Sequence, residues 1–119
     1  MRNSPQDVHK KVLGKKGERL VEEYLTAQGY KIIKRNYRTP FGEADIIAKD
    51  RDEVVFVEVK TRSSNAYGAP REAVGKTKQE RYYKIAQLYS AKTGEEVNAR
   101  FDAAEVSADF QIYYVKNAF

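Results

Sequence analysis

A chain of 119 residues, 41% hydrophobic and 33% charged, supports one domain with a modest core and leaves no room for a second. It has no cysteine, which excludes disulfides, thiolate catalysis and cysteine-based zinc sites, and its one histidine, His9, lies beside lysines in a polar stretch and reads as solvated. The net charge of +5 points to an anionic partner, nucleic acid first and an acidic membrane surface second, and the lack of any run of about eighteen apolar residues or of a signal-like apolar segment predicts a soluble, cytoplasmic protein.

Residues 1–10 read as a flexible leader and 11–119 as the single domain. From Val12 to Gln28, Leu13, Leu20, Val21, Tyr24 and Leu25 recur at helical spacing, and Gly29 is placed to end the helix. Gly14 and Gly17 fall within its apolar stripe, where they weaken the helix but let its backbone approach a sheet closely. Glu18 lies at the border of that stripe, about 20° beyond Leu25 at the helical rotation per residue, and can look into whatever the helix covers.

Three extended segments follow, Tyr30 to Tyr37, Glu43 to Lys49 and Glu53 to Arg62, with Asp50-Arg51-Asp52 as the turn between the last two. After a polar stretch from Ser63 to Gly75, Thr77 and Glu80 have capping-box spacing and open a second helix, whose apolar face is Tyr82, Ile85, Ala86, Leu88 and Tyr89 and which stops at Gly94. Strands at Ala99 to Val106 and Phe110 to Lys116, around a turn at Ser107 to Asp109, complete the chain. Helix, three strands, helix and two strands require a mixed sheet covered by helices. Lysines and arginines gather at 10–19, 31–38 and 71–84, interleaved by Tyr30, Tyr37, Tyr82 and Tyr83. That pattern suits a stacking and phosphate-binding surface, and equally suits core tyrosines flanked by solvated lysines.

The third strand carries the chemistry. Alternation puts Val55, Val57 and Val59 on one face and Val54, Phe56, Glu58 and Lys60 on the other, with Glu58 and Lys60 about 7 Å apart along the strand. If the preceding hairpin has an even loop, for example Asp50 to Glu53, Asp45 faces Glu58 directly with Cβ atoms about 5 Å apart. On a solvent face an acid and a lysine two apart are ordinary and add little. Here the strand is nearly continuous in valine, so both faces read as buried, and a buried unpaired carboxylate is too costly for decoration. Two such carboxylates repel unless a positive charge is supplied, and Mg²⁺ (or Mn²⁺ in its place) suits Asp45, Glu58 and the Val59 carbonyl. Lys60 is placed to steer a water or steady charge on a phosphate, and Glu18 to add a ligand or orient one.

The motifs Gly17-Glu18, Gly42-Glu43-Ala44-Asp45-Ile46-Ile47-Ala48, Phe56-Val57-Glu58-Val59-Lys60-Thr61-Arg62 and Lys116-Asn117-Ala118-Phe119 together closely resemble the YraN family of small bacterial nuclease-like proteins. That family resembles the archaeal Holliday junction resolvases within the restriction-endonuclease-like superfamily. The resemblance implies an α/β fold with an αβββαβ core, its mixed central sheet flanked by helices, and Mg²⁺-dependent hydrolysis of phosphodiesters to 5′-phosphate and 3′-hydroxyl ends. Asp45 matches the signature aspartate, Glu58 the acid, Lys60 the lysine, and Glu18 the glutamate that the resolvases carry on their first helix. Ala44 stands where many members of the superfamily have proline, at a position that is not a ligand.

The expected activity is therefore a metal-dependent endonuclease on DNA, ahead of RNA, with branched DNA in repair or recombination as a candidate substrate. Lys76, Lys78, Arg81 and Arg62 would hold backbone phosphates, helped by the positive end of the second helix. Symmetric cutting of both strands of a junction would need a homodimer. The alternatives are a nucleic-acid-binding module that keeps the scaffold without turnover, and a protein-interaction domain whose basic residues are dispersed.

Overall fold

A computed structural model describes residues 4–62, 74–94 and 96–119, with the side chains of Gln6 and Asp7 excepted. The elements are α1 (Pro5–Ala27), β1 (Lys31–Thr39), β2 (Gly42–Asp50), β3 (Glu53–Thr61), α2 (Lys76–Thr93), β4 (Asn98–Val106) and β5 (Ile112–Val115). The five strands form one sheet in sequence order. β1, β2 and β3 are antiparallel, β3 and β4 run parallel with α2 making the crossover, and β5 returns antiparallel to β4. The mixed sheet flanked by helices that the pattern required is present, and it contains the αβββαβ order.

β3 explains the division of the core. On one side Val55 and Val57 pack with Val21 and Leu25 of α1 and with Ile46, Ala48, Ala104 and Val106. On the other, Val54 and Phe56 pack with Tyr82, Ile85, Ala86 and Tyr89 of α2 and with Ala44 and Ile47. A strand covered on both faces cannot alternate polar with apolar residues, hence its run of valines. Val59 also packs on the α1 side, so the alternation read from the sequence holds along the strand.

Several boundaries differ from the sequence reading. α1 already begins at Pro5, inside the expected flexible leader, and proline suits a first helical turn because its missing N–H has no partner to lose there. Val8 and Val12 are exposed on this opening stretch, so it carries no apolar stripe that periodicity could detect. Gly14 does not serve a close approach, since a Cβ there would meet nothing within 4 Å. Gly17 does: a Cβ would lie 3.1 Å from the Thr61 Cβ and well inside contact with its hydroxyl. Gly29 and Gly94 end the two helices with positive φ, as expected.

The capping box does not form. α2 starts two residues earlier than that motif requires, with Gly75 at the N-cap and no side-chain cap, and Gln79 Nε2 donates back to the Val74 carbonyl instead. Residues 63–73, with most of the polar stretch and Arg71 of the third basic cluster, lie outside the described residues, as do residues 1–3. β5 is shorter than expected because Phe110 adopts a φ of 64° and the Ser107–Gln111 turn takes up the start of the segment. Of the tyrosines interleaved with basic residues, Tyr30 and Tyr82 are core, whereas Tyr83 is exposed and edge-on to Phe101.

An ionic cluster fastens the sheet at the β2–β3 turn, and no sequence signal announced it. Arg100 on β4, 5% exposed, donates to Asp102, Asp50, Glu53 and the Tyr30 hydroxyl. The fully buried Asp102 also accepts from the Tyr114 hydroxyl and the Asn117 N–H. Among the described residues, no helix is long and apolar enough to cross a membrane.

Candidate metal and phosphodiester site

The parity on which the site depends is even. Asp50 pairs with Glu53 across a two-residue turn, Arg51-Asp52, shorter than the four-residue loop used as an example but of the same parity. Pairing continues through Ile46 and Val57, and Asp45 and Glu58 are next in that register. Asp45 stands where the neighbouring strand changes phase. Arg35, opposite Ile46, reaches Glu22 of α1, whereas Tyr37, opposite Ala44, joins the α2 side of the core. Between them Asn36 has a φ of 50°, a left-handed conformation that asparagine tolerates better than most residues. The Asp45 carboxylate therefore borders both a recess with Glu18, Asn36 and Arg35 and another with Glu58, Arg81 and Tyr82.

Asp45 Oδ2 accepts a hydrogen bond of 2.8 Å from the Val59 N–H, which ties β2 to β3 beyond the last regular pair. Burial pushes this carboxyl up to about 7, repulsion from Glu58 adds to the shift, the Val59 N–H opposes it, and Glu18 and Glu43 raise it further. Glu58, whose side chain is 16% exposed, is held at both oxygens: Oε1 by Lys78 Nζ at 2.6 Å and Oε2 by the Tyr82 hydroxyl at 2.6 Å. Burial and the charges of Asp45 and Glu58 keep that phenol protonated by raising its pKa well above the usual range, so it stays a donor. Glu18 is raised by burial and by Glu43, and the Asn36 amide, with its nitrogen turned toward the acids, donates to both Glu18 and Glu43.

The remaining residues expected at the site distribute as follows. Lys60 is exposed and on the Glu58 face of β3, where both border one cavity with the start of α2. Lys76, Lys78 and Arg81 are exposed on the opening turns of α2, but Lys78 is spent on Glu58 rather than directed to solvent. Arg62 pairs with Glu105 at 2.5 Å. Val59 contributes its N–H to Asp45, and its side chain borders a recess with Glu18 and Thr61. Thus Asp45, Glu58, Lys60, Lys78 and Arg81 converge from one side, while Glu18 approaches Asp45 from α1.

A match to the Uncharacterised protein family UPF0102 spans residues 17–106. The chain belongs to this family. A UPF0102 protein of Thermodesulfovibrio yellowstonii is 46% identical over 107 residues, covering 90% of this chain and 95% of its own. One of Alkaliphilus metalliredigens is 47% identical over 112 residues, covering 92% and 98%, and one of Syntrophus aciditrophicus 48% over 110 residues, covering 89% and 87%. The resemblance to YraN is thereby confirmed as membership of UPF0102. The matched span includes every residue named above at the site, while the terminal Lys116 to Phe119 motif falls outside it.

In this UPF0102 chain, sequence reasoning missed Tyr82 as a hydrogen-bond donor and Asn36 and Glu43 as neighbours of Glu18. A signal for Tyr82 was present: Lys78 and Tyr82 are four apart and so share a face of α2. For Asn36 the only local cue was the residue type's tolerance of positive φ. The donors are carboxylate oxygens, which a hard cation prefers. Among the described residues, no three acidic or histidine side chains form a ready-made cage. Two part-buried, mutually repelling carboxylates still fit Mg²⁺, which commonly takes one or two protein carboxylates and keeps several waters.

Proposed function

We propose that the chain is a metal-dependent endonuclease that hydrolyses DNA phosphodiester bonds in the bacterial cytoplasm. The observation that carries this reading is the placing of Asp45 opposite Glu58 in the β2–β3 register, part-buried and held on the Val59 N–H, because setting one carboxylate against another there costs stability that a purely structural role does not repay. Asp45 and Glu58 would hold Mg²⁺ or Mn²⁺, with Val59 and Glu18 beside them. A bound divalent cation supplies positive charge and Lewis acidity toward a phosphate.

The chain's own groups set the rest. The Val59 N–H and the Tyr82 hydroxyl fix one oxygen each of Asp45 and Glu58, so the free lone pairs point in defined directions. Lys78 neutralises Glu58 while no substrate is bound. A phosphate entering at the start of α2 offers that ammonium a second anionic partner, and Arg81, exposed one turn on, a position to clamp the strand. Lys60 projects from the Glu58 face of β3 toward the same space, suited to orienting the attacking water or steadying developing charge.

Cleavage of plasmid and branched DNA with Mg²⁺ or Mn²⁺ tests the reading. Wild type is expected to cut, and Asp45→Ala and Lys60→Ala to lose at least about 100-fold in rate, the usual scale for removing a group that stabilises the transition state. Equal activity in all three would mean a contaminating nuclease and end the proposal. The second reading, a nucleic-acid-binding module without turnover, draws on the Lys78–Glu58 pair, which leaves the acids partly neutralised without any metal. Salt-dependent DNA binding with no heat of Mn²⁺ binding would favour it.

A further inference from the structure

The sheet face beyond the start of α2 carries a second feature. Register places Glu58, Ala103 and Val115 in one row across β3, β4 and β5, and Lys60, Glu105 and Tyr113 in the next. These rows lie on the α2 side, since Ala104, Val106, Ile112 and Tyr114 face α1. The first turns of α2, with Thr77, Lys78 and Arg81, form the wall. The space between is a cavity of about 680 Å³, within the range of about 300–1,000 Å³ that buries a small organic ligand. Its floor is small or apolar, with Ala103 leaving depth and Tyr113, 42% exposed, offering an aromatic ring. Its rim is cationic on balance, with Lys60, Lys78 and Arg81 against Glu58 and Glu105.

We propose that this cavity receives one unpaired nucleotide of the DNA strand being cut, its base laid against Tyr113 and Val115 and its phosphates on Lys78 and Arg81. The proposal rests on the endonuclease reading and names its substrate class: DNA with an unstacked base next to the scissile phosphate. Phosphates alone would need only the basic rim. A recess floored by small and apolar side chains and one aromatic ring gains nothing from a continuous duplex, whose bases are stacked inside and paired. A base swung out of the stack fills it, and stacking on an aromatic ring is tolerant of base identity.

Binding measured with a chelator present separates this from catalysis. Oligonucleotides carrying 2-aminopurine at an unpaired position, and the same sequences fully paired, would be titrated with wild type, Tyr113→Phe, Tyr113→Ala and Ala103→Met. Expected results are a change in 2-aminopurine fluorescence and tighter binding of the unpaired substrate by wild type and Tyr113→Phe. Tyr113→Ala is expected to lose about tenfold in affinity for that substrate alone, as loss of one stacking contact predicts. Ala103→Met, which fills the floor while keeping the ring, is expected to do the same. Equal affinities for paired and unpaired DNA in every variant would overturn the subsite while leaving the endonuclease reading intact. Selective binding of unpaired DNA without cleavage when Mn²⁺ is supplied would overturn the endonuclease reading and keep the subsite.

Discussion

Asp45 stores an electrostatic cost that pH can release. Its carboxyl titrates near 3.8 when unfolded and is pushed up to about 7 when folded, so the folded state holds the proton more tightly. The associated stability is fully present below about pH 4 and is lost as pH rises through 7. In chelator, Asp45→Asn is therefore expected to be more stable than wild type at pH 8, with the difference shrinking toward pH 4, as read from urea unfolding at several pH values. A pH-independent difference would mean that the burial cost is not electrostatic. Glu58 offers a paired test. Tyr82→Phe removes the donor to Oε2 and should weaken Mn²⁺ binding by about 10–100-fold, the common effect of losing a partner that orients a ligand. Lys78→Ala removes the cation that competes at Oε1 and should tighten Mn²⁺ binding while weakening DNA binding. Calorimetry and a salt-dependent binding titration would read the two signs. The acids of this group were legible because strand alternation is rigid: once Val55, Val57 and Val59 face one helix, Glu58 and Lys60 must face the other. Lys78 and Tyr82 were not legible as partners of Glu58, because the position of a helix over a sheet is fixed by packing between segments distant in the chain.

Elements transmit this geometry. β2 and β3 hold Asp45 and Glu58 in one register because the Arg51-Asp52 turn is two residues long, and a single inserted residue would send Glu58 to the opposite face. α1 brings Glu18 to the site only because Gly17, beside it, lets the helix backbone lie against Thr61. Gly17→Ala is expected to destabilise the fold by about 1–3 kcal/mol, the usual cost of overpacking, despite alanine's better helix propensity. Adding Thr61→Ala should recover part of that loss in a double-mutant unfolding cycle, whereas strict additivity would place the strain elsewhere. The sequence identified α1, its border glutamate and the close approach at Gly17, all from helical periodicity. It misjudged the start of α2, since Thr77 and Glu80 have the right spacing for a cap but Gly75 already turns the chain. It also gave two lysines, Lys76 and Lys78, to the positive end of a helix dipole, an arrangement that favours an anion in front of them.

Across the whole molecule, ionic chemistry sits at both ends of β3 with different purposes. Toward the Thr61 end Asp45 is crowded by Glu58, Glu18 and Glu43 and has the Val59 N–H as a hydrogen-bond donor. At the turn end Arg100 satisfies Asp50, Glu53 and Asp102 together, and Asp50 is held below the ordinary carboxylate range by that guanidinium. Breaking a buried pair by removing one partner costs about 3–5 kcal/mol, so Asp102→Ala should lower unfolding stability by that order. DNA binding by the protein that remains folded should be unaffected, because Asp102 and Arg100 share the α1 face of β4 with Ala104 and Val106, opposite the face on which Glu58 and Ala103 border the cavity. Loss of both together would place the cluster within the binding surface. None of this cluster could be read from the chain, since Arg100 and Asp102 alternate with Phe101 as any amphipathic strand would, and only the assembled sheet shows their side to be the more buried one.

The short turn at Arg51-Asp52 also makes this protein easy to watch. Since the chain has no cysteine, one introduced at the exposed Asp52 would be its single thiol, open to a fluorophore. At the rise of an extended strand it stands about 20 Å from Glu58, outside the reach of the site yet within energy-transfer range of a labelled oligonucleotide. Arrival and departure of the DNA proposed as substrate could then be timed without altering a residue assigned to the site.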